Sequence, residues 1–128
     1  MKPLTREWVA KADGDYATAR RELRARTRPN YDAACFHAQQ CSEKYVKALL
    51  LENGFPVARS HNLEALAKPL LRAYPSLNDI SVDLRTLTAF AVETRYPGKS
   101  ADRRVAREAF DRSTRVRLLI RKALRIAQ

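Results

Sequence analysis

The sequence predicts an all-α fold, an antiparallel up-and-down bundle of four long helices plus one short helix. Three observations carry this. Only three glycines and six prolines interrupt 128 residues, which leaves little room for strands and their turns. Between the interruptions, apolar residues recur three and four apart, the spacing of a helix face. The connections that remain are short, as neighbouring antiparallel helices require. A single domain over residues 1–128 accommodates all of it.

The first helix is placed at about 4–26. Leu4, Trp8, Val9, Ala12, Tyr16, Ala19 and Leu23 share one side, and Arg6, Arg20, Arg21 and Arg24 lie opposite. Pro29 ends it, and Asn30 is an N-cap for a second helix that stops at Asn53-Gly54, a pair suited to a left-handed terminator. Within that helix, about 30–53, Ala34, Cys35, Ala38, Cys41, Tyr45, Val46, Ala48 and Leu49 form a broad apolar arc. His37, Gln40, Lys44 and Lys47 form a polar stripe opposite it. Ser60 is expected to cap a short third helix running to about Ala73 and kinked or shortened by Pro69, after which Pro75 opens a loop. Ser81 is expected to cap a fourth helix, in which Leu84, Leu87, Ala91 and Thr94 repeat at helical spacing until Tyr96-Pro97-Gly98. Ser100 or Asp102 starts the last helix, about 101–127, with Val105, Ala109, Val116, Leu119, Ile120, Ala123 and Ile126 on its apolar face. Trp8 and Phe110 fall on or beside apolar faces and are expected in the core.

Composition excludes several classes. With 45% hydrophobic and 30% charged residues the chain can build a core under a charged surface, so it reads neither as disordered nor as a collagen-like or disulfide-based scaffold. Cys35 and Cys41, six apart, would point to nearly opposed sides of a helix, which disfavours a disulfide and makes them core thiols. With His37 and His61 as the only histidines, no set has zinc spacing, and no metal or cofactor is expected. The N-terminus lacks the apolar run of a signal peptide, and no purely apolar run exceeds the four residues of Ala48-Leu49-Leu50-Leu51; a cytoplasmic protein with no membrane segment is expected.

A net charge of +11 and a pI near 10.3 predict attraction to polyanions or acidic partners. Most of the excess lies at the end of the chain. From Lys99 onward ten basic residues face three acidic ones, and Arg103, Arg104, Arg107, Arg115, Arg117, Arg121, Lys122 and Arg125 occupy the polar side of the last helix over about 33 Å. Arginine is a good helix former and charge runs often mark solvated faces, but this run exceeds what solubility needs and reads as a polyanion or acidic-partner surface. A membrane surface fits less well, because the bundle core needs that helix's apolar face.

Three segments then carry a resemblance. Phe36-His37-Ala38-Gln39-Gln40-Cys41-Ser42-Glu43-Lys44-Tyr45-Val46-Lys47-Ala48-Leu49-Leu50, Arg59-Ser60-His61-Asn62-Leu63 and Thr94-Arg95-Tyr96-Pro97-Gly98 together resemble HEPN-domain proteins over about 30–125. The first resembles the family's His-Ala-Gln-Gln, Glu-Lys, Lys-Ala-Leu-Leu helix, the second its His-Asp-Leu turn and the third its Arg-Tyr-Pro helix end; Asn62 departs from the usual Asp. The resemblance implies a small helical bundle, commonly a homodimer, found beside or fused to minimal nucleotidyltransferases, often as a toxin–antitoxin-like pair, with nucleotide binding suggested. Many members are metal-independent ribonucleases whose motif is an Arg followed a few residues later by a His. Here Tyr96, Pro97, Gly98, Lys99, Ser100 and Ala101 follow Arg95, and no His lies beyond His61.

That loss matters chemically. Cleaving RNA through its 2′-hydroxyl without a metal needs a group that exchanges protons near neutral pH, which Arg95 alone cannot supply. His37 or His61 could substitute only if the fold, or a dimer partner, brings one near Arg95. Arg95 and Tyr96 offer a fork of donors and a stacking face to a nucleotide, or else a helix C-terminal cap and a core aromatic. His61 reads as a turn residue or a ligand group; His37, Gln40, Lys44 and Lys47 read as solvated surface or as one wall of a cleft. Glu43 can pair with Lys47 four residues on, worth only about 0.3–0.5 kcal/mol. The sequence thus points to a non-catalytic nucleotide- or RNA-binding partner of a nucleotidyltransferase, with two alternatives: a divergent ribonuclease toxin, and an interaction module that docks through its basic last helix.

Overall fold

The structure is a computed structural model and describes every residue except Arg95 and Gln128. Its five α-helices are α1 (Pro3–Arg24), α2 (Tyr31–Glu52), α3 (Leu63–Ala67), α4 (Ser81–Glu93) and α5 (Arg103–Ala123), with 3₁₀ segments at Lys68–Leu70 and Pro75–Ile80. No strand occurs among the described residues. The bundle is the all-α one the periodicity predicts.

Long-range hydrogen bonds set the direction of each helix. On α1, Thr5 reaches Glu52, Asp13 accepts from Tyr45, and Glu22 accepts from the Asn30 backbone, so α1 and α2 run antiparallel. Along α2, by contrast, Asp32, Ala38 and Tyr45 meet Ala101, Ser113 and Arg121 in ascending order. α2 and α5 therefore run the same way and pack across the diagonal of the bundle. Small side chains make this close approach possible: Ala34, Ala38 and Ser42 on α2, with Ala106, Ala109 and Ser113 on α5, are all fully buried. Ser113 donates from Oγ to the Ala38 carbonyl at 2.9 Å, and the Ser42 hydroxyl lies 3.2 Å from Ser113 Oγ, so the seam satisfies its own polar atoms. Large residues, among them Tyr45, Leu49, Leu63, Leu70, Leu84, Leu87 and Ile120, fill the rest of the core, with Phe110 buried and Trp8 packed partly buried against it.

Several helix ends differ from expectation. Asn30 does cap α2, accepting from Ala33 N at 2.9 Å, and Gly54 at φ 74° closes it with Phe55 N bonded to Leu50 O. The cap of α3 is Asn62, which accepts from Ala65 N, while Ser60 accepts from the Asn62 backbone instead. α3 stops at Ala67 rather than Ala73 because Pro69 has no N–H for the Ala65 carbonyl, which takes Lys68 N in a tighter turn. Pro75 opens a 3₁₀ segment, not a loop. Ser81 is the first residue of α4 and turns its hydroxyl to Glu64, leaving Ile80 at the cap position. Asp102, not Ser100, caps α5, accepting from Val105 N at 2.8 Å. α5 ends at Ala123 because Arg125 adopts φ 60°; Ile126 N then bonds Arg121 O and Arg125 N bonds Lys122 O, the paired bonds of a Schellman terminator. At the other end of the chain, Leu4 is half-exposed and Thr5 is buried in its place, held by Glu52.

Both cysteines are free and buried. Burial pushes each thiol up to about 12, with Asp32 and Asp102 adding to the effect at Cys35 and the Ser113 hydroxyl opposing it at Cys41. In native protein at pH 8, both are expected to resist a thiol reagent and then to react fully in denaturant; labelling of the native fold at the unfolded rate would contradict this burial. Asp83, buried on α4, accepts from Arg112 at 2.9 Å and Arg115 at 2.6 Å, tying α4 to α5. Asp83→Ala leaves the half-buried Arg112 with only Glu108 of its own helix, at 3.9 Å, and is expected to cost about 3 kcal/mol in denaturant unfolding, the low end for a broken buried pair because Arg115 keeps access to water.

Candidate functional site

The polar stripe of α2 is held from both flanks. Towards α1, Asp15 takes His37 Nδ1 on one carboxylate oxygen at 2.7 Å and Lys44 Nζ on the other at 2.5 Å. Towards α3, Glu43 takes His61 Nδ1 at 3.3 Å and Lys47 Nζ at 3.0 Å, with Gln39 Nε2 also at 3.3 Å. Each carboxylate thus holds one imidazole and one ammonium. Between them Gln40 donates to Gln39, and Lys47 sits 5.5 Å from the centre of the Trp8 ring. Phe36, exposed, lies edge-on to His37 and continues the ridge.

An imidazole fixed through Nδ1 is oriented by its carboxylate and directs Nε2 elsewhere. His37 has this geometry with its side chain 30% exposed, and His61 with 76% exposed. The two pairs lie on opposite flanks of α2, their α2 members His37 and Glu43 about 9 Å apart along its axis at helical rise. The structure therefore brings His37, Gln40, Lys44, Lys47 and His61 onto one ridge but splits the histidines between two carboxylates. Arg95 lies outside the described residues. Tyr96 is 60% exposed beyond the end of α4, not a core aromatic. Near it, a cleft of about 270 Å³ is lined by Phe90, Glu93, Thr94, Lys99 and Val105 among others, and Asp32 ties this connection to α2 by accepting from Ala101 N at 2.7 Å.

The basic side of α5 divides. Arg117 and Arg121 turn towards α1, where Asp13 accepts from Arg117 Nε at 3.0 Å, from Arg121 Nη1 at 3.2 Å and from the Tyr45 hydroxyl. Their side chains are only 22% and 12% exposed, and Arg117 stacks 4.7 Å from the Tyr16 ring centre. Arg115 goes to Asp83. Arg103, Arg104 and Lys122 stay exposed, Arg107 has an exposed partner in Asp111 at 3.4 Å, and Arg125 lies beyond the helix. The continuous cationic face read from the sequence is thus interrupted in its second half by the carboxylates of neighbouring helices.

The helical projection missed both those carboxylates and a meeting of charges at the other end. Arg24, the last residue of α1, and Arg26, just beyond it, share with Arg103 and Arg107 a cleft of about 450 Å³ that Leu23, Ala25 and Tyr31 complete. The run Arg20, Arg21, Arg24, Arg26, Arg28 was the available signal for it. Among the described residues, no group of three His, Cys, Asp or Glu side chains could hold a metal ion, and no helix is long and apolar enough to cross a membrane.

These features define a small helical-bundle protein with a carboxylate-flanked polar ridge and a cationic end. The HEPN domain model matches residues 5–123, so the chain belongs to the HEPN family. The crystal structure of TT1696 from Thermus thermophilus is similar with a TM-score of 0.80 and 27% identity, covering 92% of this chain and 96% of that one. ST0689, an archaeal HEPN homologue, is similar with a TM-score of 0.74 and 27% identity, covering 97% of this chain and 99% of its own. No curated protein matches.

Burial works to raise the Glu43 carboxyl, but Lys47, His61 and Gln39 outweigh it and hold the group below its ordinary 4.5. A depressed folded-state value stabilises the fold above the unfolded value, and that contribution is lost as pH falls through the folded one. Thermal unfolding followed below pH 4.5 is expected to show this loss in the wild type and a flatter acid limb in Glu43→Gln; identical acid limbs would contradict it.

Proposed function

We propose that this HEPN protein is a non-catalytic nucleotide- or nucleic-acid-binding protein that acts as a homodimer with a nucleotidyltransferase partner, in a toxin–antitoxin-like pair. One observation carries the binding part: the exposed arginines that end α1 and begin α5 converge with no carboxylate lining the cleft between them. Such a surface attracts phosphates and loses that attraction as salt screens it. A groove beside α5, lined by Ile80, Leu118 and Leu119 together with Asp79, Arg115 and Lys122, supports a second copy as its cover. The missing late His and the division of His37 and His61 between two carboxylates favour binding over cleavage.

The ribonuclease alternative keeps one point in its favour. His37, oriented by Asp15 and still reachable by solvent, has the arrangement of a general base. The interaction-module alternative is weakened, because Arg117 and Arg121 already serve Asp13.

Single-stranded RNA binding measured by fluorescence anisotropy tests the reading. If about four phosphates are neutralised, affinity is expected to fall about 50-fold between 50 and 200 mM salt. Arg103→Glu with Arg107→Glu is expected to abolish most of the affinity with RNA left intact in metal-free buffer. Absence of binding at low salt would overturn the reading, and cleavage lost in His37→Ala would replace it with the ribonuclease. Affinity capture from the source cell is expected to recover a nucleotidyltransferase; its absence would remove the partner from the proposal.

A further inference from the structure

α3 and the start of α4 border a cleft of about 390 Å³ that shares no residue with the cationic one. Its floor is aliphatic. Ala67, Leu77 and Leu84 are buried there, and Leu71 stands half-buried beside them. The prolines make this floor: Pro69 stops α3 after five residues, and the chain returns through the Pro75–Ile80 segment, which brings Leu77 to the same cleft as Leu84 of α4.

The rim carries both signs of charge. Glu64 is turned to α4, where its oxygens accept from Arg85 Nε at 3.3 Å, from Arg85 Nη2 at 2.8 Å and from the Ser81 hydroxyl at 3.3 Å. Arg85 holds the carboxyl below its ordinary 4.5, so it is ionised at neutral pH. Of about four acceptor positions on a carboxylate these bonds use three, which leaves one for a further donor. Lys68 stands four residues on, the spacing at which a helix pairs Glu with Lys, yet it is exposed and enters no ion pair among the described residues. Asn62 supplies the third group. Its Oδ1 is committed to capping α3 by accepting from Ala65 N at 3.1 Å, which leaves the Nδ2 amide as a donor on the rim. The Asp usual in the family at this turn would cap equally well and would add a second carboxylate; Asn62 adds donors and no charge.

A carboxylate with a position to spare, an unpaired ammonium and an amide donor over an aliphatic floor complement a zwitterion with an aliphatic tail. We propose that this cleft binds a free aliphatic α-amino acid of the size of leucine. Its ammonium donates to Glu64, its carboxylate accepts from Lys68 and Asn62, and its side chain covers Leu71, Leu77 and Leu84. The volume suits one such molecule with some of its water. Affinity comes mainly from the floor and selection from the rim, because charges this exposed contribute little each. The inference goes beyond the nucleic-acid reading and shares no residue with the surface on which that reading rests.

Amide-detected NMR titration with leucine, glycine, leucinamide and N-acetyl-leucine tests it. Leucine is expected to move the signals of Ala67, Leu77 and Leu84 and to bind about tenfold or more tighter than glycine, which lacks the side chain. Leucinamide, without the carboxylate, and N-acetyl-leucine, without the ammonium, are each expected to bind about threefold to fivefold more weakly than leucine. Lys68→Gln is expected to bring leucine down to the level of leucinamide and to leave leucinamide unchanged. Asn62→Asp, which keeps the cap, is expected to weaken leucine and N-acetyl-leucine and to tighten leucinamide; neither substitution, both at exposed positions, is expected to shift the melting temperature. Leucine binding no tighter than glycine, leucinamide or N-acetyl-leucine, or unaffected by Lys68→Gln, overturns the proposal, as does a response away from Ala67, Leu77 and Leu84 or none at all. None of these probes is a nucleic acid, so such a failure leaves the RNA reading standing, and a failure of RNA binding leaves this cleft standing.

Discussion

The close approach of α2 and α5 is the constraint on which the rest of this bundle depends. Two helices running the same way across a diagonal can touch only where side chains are small, and Ala38, Ser42, Ala109 and Ser113 provide that contact. Once the seam is closed, the two flanks of α5 face different neighbours. One flank meets α1 at Asp13 and the other meets α4 at Asp83. These carboxylates contribute less by their presence than their loss would cost, because removing either takes from partly buried arginines their nearest counter-ion. They fix which helices lie beside α5.

The same geometry decides where positive charge remains available. Arg112, Arg115, Arg117 and Arg121 are drawn into the bundle by neighbouring helices, and Lys44 and Lys47 are drawn to Asp15 and Glu43. Among the cations left without a carboxylate from another helix, Arg24, Arg26, Arg103 and Arg107 come together where α1 ends and α5 begins. Of a net charge of +11 that is spread widely in the sequence, four cations thereby share one cleft. The histidines follow a similar rule. Each is oriented by its own carboxylate, His37 by Asp15 of α1 and His61 by Glu43 of α2, which makes it a well-placed hydrogen-bonding group and separates it from its counterpart on the other flank.

The fold was largely legible because periodicity reports which side of a helix faces inward. The apolar arc of α2, the Asn30 cap and the Gly54 terminator all stand where spacing and conformational preference put them. Short elements were harder, since Ser60 and Asn62 are both competent caps and only the backbone path selects Asn62. The site was legible in residue type but not in partnership. Asp13 and Asp15 look like surface residues of an arginine-rich helix, yet one gathers α5 arginines and the other orients His37. Arg24 and Arg26 likewise gain meaning only from Arg103 and Arg107, residues nearly eighty positions away in the chain. A projection of one helix shows a charge's direction and says nothing of what waits there.

The division of α5 into an inward-paired half and an available half is tested most directly by arginine side-chain NMR during titration with a short single-stranded RNA. The Nε–Hε signals of Arg24, Arg26, Arg103 and Arg107 are expected to move with RNA, while those of Arg117 and Arg115, already bonded to Asp13 and Asp83, keep their positions. Movement centred on Arg115 and Arg117, with the cleft arginines unchanged, would contradict it.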